Sequence, residues 1–241
     1  MQPFSIVVAA DLANGIGLNG TLPWRLRKDM AFFARITSKV FQGSLDQTQD
    51  PYTDNKNSLV SRKVNACIMG RRTWESIPQK FRPLINRFNI IVSRDPHYLD
   101  DKPERHSPLV ALATSFESAL ELARSKQPSQ AAAAIASAPQ SLPVKTSDVP
   151  DIEVQRIFLI GGAQLYDYAI HSEECSHIFL TRIQSTLDCD TFFPKIMDSE
   201  YKLLPGNQSH QFLEEYLQEP VEGGLIEEGQ YKYEYTVYNR I

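Results

Sequence analysis

Three groups of residues in this chain have types and spacings that could do chemistry. The first is Asp29. Leu26, Asp29 and Phe33 stand at i, i+3 and i+7, which places the carboxylate on the apolar side of a helix. A carboxylate is costly to bury unless it is paired. With Trp24 and Phe33 beside it, Asp29 suits a flat, cationic or N–H-rich ring. The plainer reading is a rim position solvated by Arg25 or Lys28. The second group is a pair of basic strand ends. Gly70-Arg71-Arg72-Thr73 falls between a strand and a short helix, and Ser93-Arg94 closes the next strand. Guanidiniums at helix starts hold anions, phosphate above all, and ligands of open parallel sheets bind at the carboxyl ends of strands. Either pair alone reads as surface charge. Together, in a chain of net charge −4, they suggest a phosphorylated cofactor. The third group is Ile160-Gly161-Gly162-Ala163-Gln164-Leu165-Tyr166, a strand-to-helix turn. Its paired glycines permit close approach of a ligand, or serve only a tight turn.

A fourth motif points elsewhere. Gly15-Ile16-Gly17-Leu18-Asn19-Gly20 fits the dinucleotide fingerprint G-x-G-x-x-G directly after a strand. That fingerprint needs a helix opening at the glycines and an acidic residue about 20 positions on. Here Thr21-Leu22-Pro23 intervenes, and the helical pattern begins only near Trp24. A glycine-rich loop over a cleft fits better, since Ile16, Leu22 and Trp24 have little reason to sit on a solvated loop. The histidines His97, His106, His171, His177 and His210 lack metal-ligand spacing, so no metal site is expected. Cys67, Cys175 and Cys189 form no C-x-x-C and read as small hydrophobes in a reducing compartment.

These residues need a frame. Ser5–Ala10 reads as a buried strand, 11–23 as a loop and Trp24–Ser38 as an amphipathic helix with Leu26, Met30, Phe33 and Thr37 at helical spacing. Val64–Met69, Phe88–Ser93, Leu109–Thr114, Arg156–Ile160 and His177–Ile183 read as further strands. Arg72–Ser76, a stretch capped by Ser115, and Ala163–Ile170 read as helices. Gln211–Leu217 and Tyr231–Tyr238 look like strands of an antiparallel hairpin across the Gly-rich 219–230. Residues 42–62 look like a polar insertion. Residues 127–150, dominated by Ala, Ser and Pro, look like a mobile excursion. Alternating strands and helices imply one α/β domain with a mainly parallel sheet.

Composition narrows the classes. Hydrophobic residues make up 42% and charged residues 22%, a globular balance. The acidic net charge argues against non-specific nucleic-acid binding. No apolar run approaches the ~20 residues of a membrane helix, and no basic residue precedes the apolar Phe4–Ala10 as a secretory signal would require. A cytoplasmic protein that needs neither membrane nor nucleic acid is expected.

Read in order, the chain resembles the dihydrofolate reductase family. The resemblance is carried by Val7-Val8-Ala9-Ala10, Asn14-Gly15-Ile16-Gly17, Leu22-Pro23-Trp24 and Ile68–Pro78. It continues through Arg82-Pro83-Leu84, Arg87-Phe88-Asn89, Ile160–Tyr166 and Asp190-Thr191-Phe192-Phe193-Pro194. Length and inserts look more like eukaryotic, in particular fungal, enzymes than compact bacterial ones. The resemblance implies a single α/β domain over 1–241 with insertions near 42–62, 99–108, 127–153 and 218–230. Its sheet would be mostly parallel and eight-stranded, with an antiparallel C-terminal strand and flanking helices. The implied activity is transfer of hydride from NADPH to C6 of 7,8-dihydrofolate with protonation at N5. The product would be 5,6,7,8-tetrahydrofolate, for one-carbon and thymidylate metabolism, and the enzyme a monomer open to antifolate inhibitors.

Residue by residue, the resemblance makes Asp29 the acid of the pterin pocket, where many eukaryotic members carry Glu. Trp24 would help hold an ordered water near it, and Leu22 would lie on the loop closing over the nicotinamide. Val8, Met30, Phe33, Ile77, Leu84 and Ile160 would wall the substrate, with Phe81 at its rim. Thr181 would stand behind Asp29, and Arg87 would pair with the glutamyl α-carboxylate. Gly70, Arg71, Arg72, Thr73, Ser93 and Arg94 would hold the cofactor phosphates. Ala9, Ile16, Gly17, Gly161, Gly162, Ala163, Gln164, Leu165 and Tyr166 would line its nicotinamide, ribose and pyrophosphate, with Tyr166 bordering the substrate too. A cis peptide is expected between Gly161 and Gly162. Two alternatives stand beside this reading: a non-catalytic folate-binding relative, and another NADPH reductase on the same fold, such as the pyrimidine reductase of riboflavin synthesis.

Overall fold

The apolar, β-branched run at the N-terminus forms strand β1 (Phe4–Ala10), buried almost throughout. The computed structural model describes residues 1–41, 62–126 and 152–241. The expected insertion at 42–62, its last residue Arg62 excepted, and the Ala/Ser/Pro stretch therefore lie outside the described residues, while Arg62, Ile152 and Glu153 belong to strands.

Around β1 the chain lays down β3 (Arg62–Gly70), β4 (Arg87–Val92), β5 (Val110–Ala113), β6 (Ile152–Leu159) and β7 (Cys175–Ile183). It closes with β9 (Tyr201–Leu203), β10 (Ile226–Glu228) and β11 (Tyr231–Arg240). Eight strands run in the order β10-β11-β7-β1-β6-β3-β4-β5, and β9 pairs with β11 off that path. The pairs from β7 to β5 are parallel, and β11 meets β7, β10 and β9 antiparallel. The expected mixed sheet is thus present. The hairpin partner of β11 is β10, not Gln211–Leu217.

Gln211–Leu217 belongs instead to helix α5 (Gly206–Leu217). Its buried residues, Ser209, Leu213 and Leu217, repeat every four positions. That is a helical period, which the Phe212–Leu213 and Tyr216–Leu217 doublets hide from an alternating reading.

The other helices are α1 (Arg27–Ser38), α2 (Arg71–Ser76), α3 (Phe116–Ser125) and α4 (Ala163–Ala169). Ser115 caps α3 as expected, in a reciprocal box with Ser118. Helix α1 begins three residues later than expected. Leu26 is still extended, so Trp24 and Leu26 precede the helix. The buried stripe of α1 is Asp29, Phe32, Ile36 and Thr37, while Phe33 is half-buried and Met30 half-exposed.

Strand alternation sorts the core into two faces. Val8, Leu180 and Tyr166 pack with α3 residues on one face. Val7, Phe179 and Ile183 pack with Phe32 and Ile36 of α1 and with Leu213 and Leu217 of α5 on the other. A third cluster holds Cys67, Met69, Trp74, Leu84 and Tyr98, with Ile77 against it, and Phe33 and Ile160 touch both it and the α1 cluster. No helix among the described residues is long and apolar enough to cross a membrane.

Candidate active site

Parallel pairing brings the carboxyl ends of β1, β3, β4, β6 and β7 to one edge of the sheet. Ala9, Gly70, Ser93, Gly161 and Thr181 all stand at that edge. Helix α1 packs on one face of the sheet with Asp29 bonded to Thr181 near that edge, and the space between α1 and the strand ends is the candidate cleft.

Asp29 occupies the first turn of α1 and is only 6% exposed. Thr181 Oγ1 on β7 donates to Asp29 Oδ1 at 2.7 Å. Burial pushes the Asp29 carboxyl up to about 6 against the pull of that hydroxyl, and the Glu228 charge adds to the rise. Among the described residues no cation pairs with it. Trp24 is buried, and its Nε1 has no partner among the described residues. A buried donor left in this way can take a small polar guest.

At the other end of α1 the arrangement is mirrored with opposite charge. Arg87 is 8% exposed, and burial holds its guanidinium below the usual arginine range. Its Nη1 donates to Thr37 Oγ1 at 2.8 Å and its Nε to Ile85 O at 3.1 Å. No carboxylate pairs with it among the described residues. Thr37 in turn donates to Phe33 O, which locks its rotamer. Asp29 and Thr37 are eight residues apart, about 12 Å along the helix. Phe33 stands between them with Arg87 over its ring at 5.9 Å, while Leu84, Ile77 and Ile160 belong to the apolar cluster below.

One expected wall residue turns away. Val8 points into the opposite core face, and on the α1 side β1 presents Val7 and Ala9. A one-residue step along a strand reverses the face. Tyr166, also on the opposite face, reaches across with its hydroxyl to donate to Val7 O at 2.9 Å. Met30 and Leu22 are each 50% exposed, and Phe81 is exposed as well.

Two glycine turns meet at the sheet edge. Gly70 N donates to Gly161 O at 2.8 Å, and the Gly161–Gly162 peptide is cis, as expected. Gly161 has φ 139°, and a Cβ there would meet Thr73 Oγ1 at 2.8 Å, so the turn has no room for a side chain. Arg71, Arg72 and Arg94 stand exposed nearby, Arg71 within 3.9 Å of Glu75, whereas Ser93 is buried and accepts from Asp95 N. Ala163, Gln164 and Leu165 form the first turn of α4, and Leu165 packs near Gly70.

The glycine-rich loop is more ordered than its composition suggests. Gly15–Gly17 forms a short strand, β2, paired antiparallel with β8 (Thr191–Phe192). Asn19 and Gly20, both at positive φ, make the tight turn that joins Leu18 to Thr21. Asn19 N donates to Asp190 Oδ2 at 2.7 Å. No helix opens at these glycines, so the dinucleotide fingerprint is absent in substance.

Sequence reasoning missed Asp11. It is fully buried, its Oδ1 accepts from Ala13 N and Gly15 N, and its Oδ2 accepts from Leu187 N. One carboxylate thereby ties the root of the loop to the segment after β7. The available signal was an acidic residue closing an apolar strand just before turn residues, a local capping pattern.

A family model described as Dihydrofolate reductase matches residues 3–41, 62–136 and 123–217. The chain is 33% identical over 240 residues to the dihydrofolate reductase of Pneumocystis carinii, covering 99% of this chain and 97% of that one. It is 34% identical over 241 residues to the Candida albicans enzyme, covering 98% and 95%. Among solved structures, Schistosoma mansoni dihydrofolate reductase superposes with a TM-score of 0.63 at 26% identity, over 99% of this chain and 98% of that one.

Proposed function

Because the chain belongs to the dihydrofolate reductase family, we propose that as a single domain it reduces 7,8-dihydrofolate to tetrahydrofolate in the cleft between α1 and the strand ends. The observation that carries this reading is Asp29, a buried carboxylate with no cation beside it among the described residues and a proton affinity raised to about 6. Its free oxygen can accept from the 2-amino group and N3–H of a pterin. The Thr181 hydroxyl holds the other oxygen and so sets the plane of the carboxylate.

A carboxyl that titrates near 6 exchanges protons close to neutral pH, as a group governing N5 protonation must. Asp29 meets the far edge of the pterin, so the proton reaches N5 through solvent at the cleft mouth, with Trp24 Nε1, which has no partner among the described residues, to orient it. Phe33, Ile77, Leu84 and Ile160 supply an apolar slot for the pterin and benzoyl rings, with Met30 at its mouth. Arg87 supplies the cation for the glutamyl α-carboxylate, and the ~12 Å from Asp29 to Thr37 suits a ligand that is flat and N–H-rich at one end and anionic at the other.

The glycine turns suit NADPH. The side-chain-free cradle at Gly161 and Gly162, backed by Thr73, admits a pyrophosphate, and exposed Arg71, Arg72 and Arg94 offer charge for a 2′-phosphate. When bound there, NADPH supplies the hydride for C6. Leu22, half-exposed on the loop rooted at Asp11, takes the role of covering the reacting faces and excluding bulk water in this reading.

The test is direct. Purified protein with NADPH and dihydrofolate should lose absorbance at the reduced-nicotinamide band with one NADPH consumed per tetrahydrofolate formed. Tight folate binding without turnover would favour the non-catalytic alternative. Turnover of a pyrimidine substrate alone would favour the other.

A further inference from the structure

The first turn of α1 lacks a local cap. Leu26 stands at the N-cap position, and its side chain offers no acceptor. The amides of Arg27 and Lys28 are satisfied from 200 residues away. Glu228, the last residue of β10, accepts from Arg27 N through Oε1 at 2.5 Å and from Lys28 N through Oε2 at 3.1 Å. Tyr233 Oη, two positions into the facing strand, donates to the same Oε2 at 3.1 Å and fixes the rotamer.

The residues around Glu228 form a strap along the outside of α1. Glu222 pairs with the Lys28 ammonium at 2.8 Å, and Glu219 pairs with Arg35 in the last turn of the helix at 3.4 Å and with Lys39 just beyond it at 2.7 Å. Val221 and Ile226 anchor the strap in the core. The strap pairs differ in kind. Glu222 and Lys28 are both about half-exposed, where an ion pair contributes little. Glu228 instead bonds backbone amides at the turn that carries Asp29.

We propose that Glu228 is a positioning residue for Asp29. It caps α1 in place of the missing local cap, holds the helix at its distance from the sheet, and sets a second negative charge near the pterin acid. This rests on the reading of Asp29 given above. Other groups also face Asp29. Tyr235 of β11 lies in its field, Arg35 of the helix and Glu222 of the strap act on that same tyrosine, and Thr181 of β7 donates to Asp29 directly. Of these, Glu228 is the carboxylate whose field is felt at Asp29, and it raises the proton affinity there.

The test separates position from charge. Glu228→Gln removes the charge and confronts one amide with an NH2 group. The pH midpoint of the hydride step should fall by a few tenths of a unit. KM for dihydrofolate should rise about fivefold, the change a lost cap of ordinary strength produces. KM for NADPH should stay within about twofold of the parent, because the bonds Glu228 makes go to the α1 amides and Tyr233 and not to the glycine turns. Glu228→Asp keeps the charge but shortens the reach, so KM should rise while the midpoint stays. Glu222→Gln should do neither. Hydrogen exchange at the Arg27 and Lys28 amides should quicken in both Glu228 variants, a readout independent of turnover. Parent-like exchange and kinetics in Glu228→Gln overturn the proposal, as does an equal midpoint shift in Glu222→Gln. If Glu228→Gln gives no soluble protein, parent-like exchange and KM in Glu228→Asp overturn it. The midpoint should vanish in Asp29→Asn. A midpoint that persists there refutes the Asp29 reading, and the capping role then stands or falls on amide exchange alone.

Discussion

On the α1 side of the cleft, Asp29 and Arg87 are almost fully buried, each is held by a threonine hydroxyl, and neither has a counter-ion among the described residues. At the strand ends, Arg71, Arg72 and Arg94 stand in solvent, and the glycine turn beside them leaves no room for a side chain at Gly161. The two regions use charge differently. A buried charge is expensive, so one group suffices to define a site, and its loss should be felt sharply. Exposed cations are screened and individually weak, so a site built from them must use several. On the function proposed, the substrate side is therefore specified by single residues, and the cofactor side by a shape plus a field.

The largest expected effect breaks the substrate side. Asp29→Asn should lower turnover by about 10²-fold or more near neutral pH, within the range for acid–base groups. Steady-state kinetics at pH 7 with saturating NADPH checks it, and activity near the parent's would remove Asp29 from the chemistry.

Next in size is the anion end. Arg87→Leu should raise KM for dihydrofolate by about 10–100-fold, the loss of one or two charge-assisted hydrogen bonds. A substrate analogue lacking the glutamyl tail should bind parent and variant alike. If both bind the analogue equally and dihydrofolate equally, Arg87 meets some other group.

Smaller and more diffuse is the cofactor side. Replacing Arg72 and Arg94 together with Ala should raise KM for NADPH about tenfold relative to NADH at low salt, and added salt should narrow the difference. Equal changes for the two cofactors would place these arginines away from the 2′-phosphate.

The last effect is on stability, and its sign follows from burial. The unfolded Asp29 carboxyl ionises at 3.8 and the folded one at about 6, so between these pH values the folded state binds more protons. Stability therefore falls as pH rises through that window. The difference corresponds to about 3 kcal/mol once pH exceeds 6. Asp29→Asn should accordingly raise the thermal midpoint at pH 8 by a few degrees and leave it nearly unchanged at pH 3.5. A lower midpoint at pH 8 would mean that the carboxylate is stabilised by contacts stronger than its single hydroxyl partner.

Local signals explain most of what was legible. Helix and strand periods, the Ser115 cap and the glycine turns depend on a few neighbouring residues, so β1, β3, α3 and the Gly161–Gly162 turn could be read directly. The anomaly of Asp29 was also local, an acid in an apolar stripe. Misreadings came where local signals were ambiguous. The α5 doublets obscured a four-residue repeat, and a one-residue step in β1 decided between Val7 and Val8.

By itself, then, the sequence determined the order of elements, the chemical character of the site residues and the glycine positions, because these follow from short-range backbone preferences and hydrophobic periodicity. Only the tertiary structure decided which hydroxyl meets Asp29, that Thr37 orients Arg87, that Gly70 bonds Gly161, and that Glu228 caps a helix 200 residues upstream. Those pairings depend on strand order and on the register in which strands dock. Both are set by the burial of whole faces at once, and no stretch of neighbouring residues encodes them.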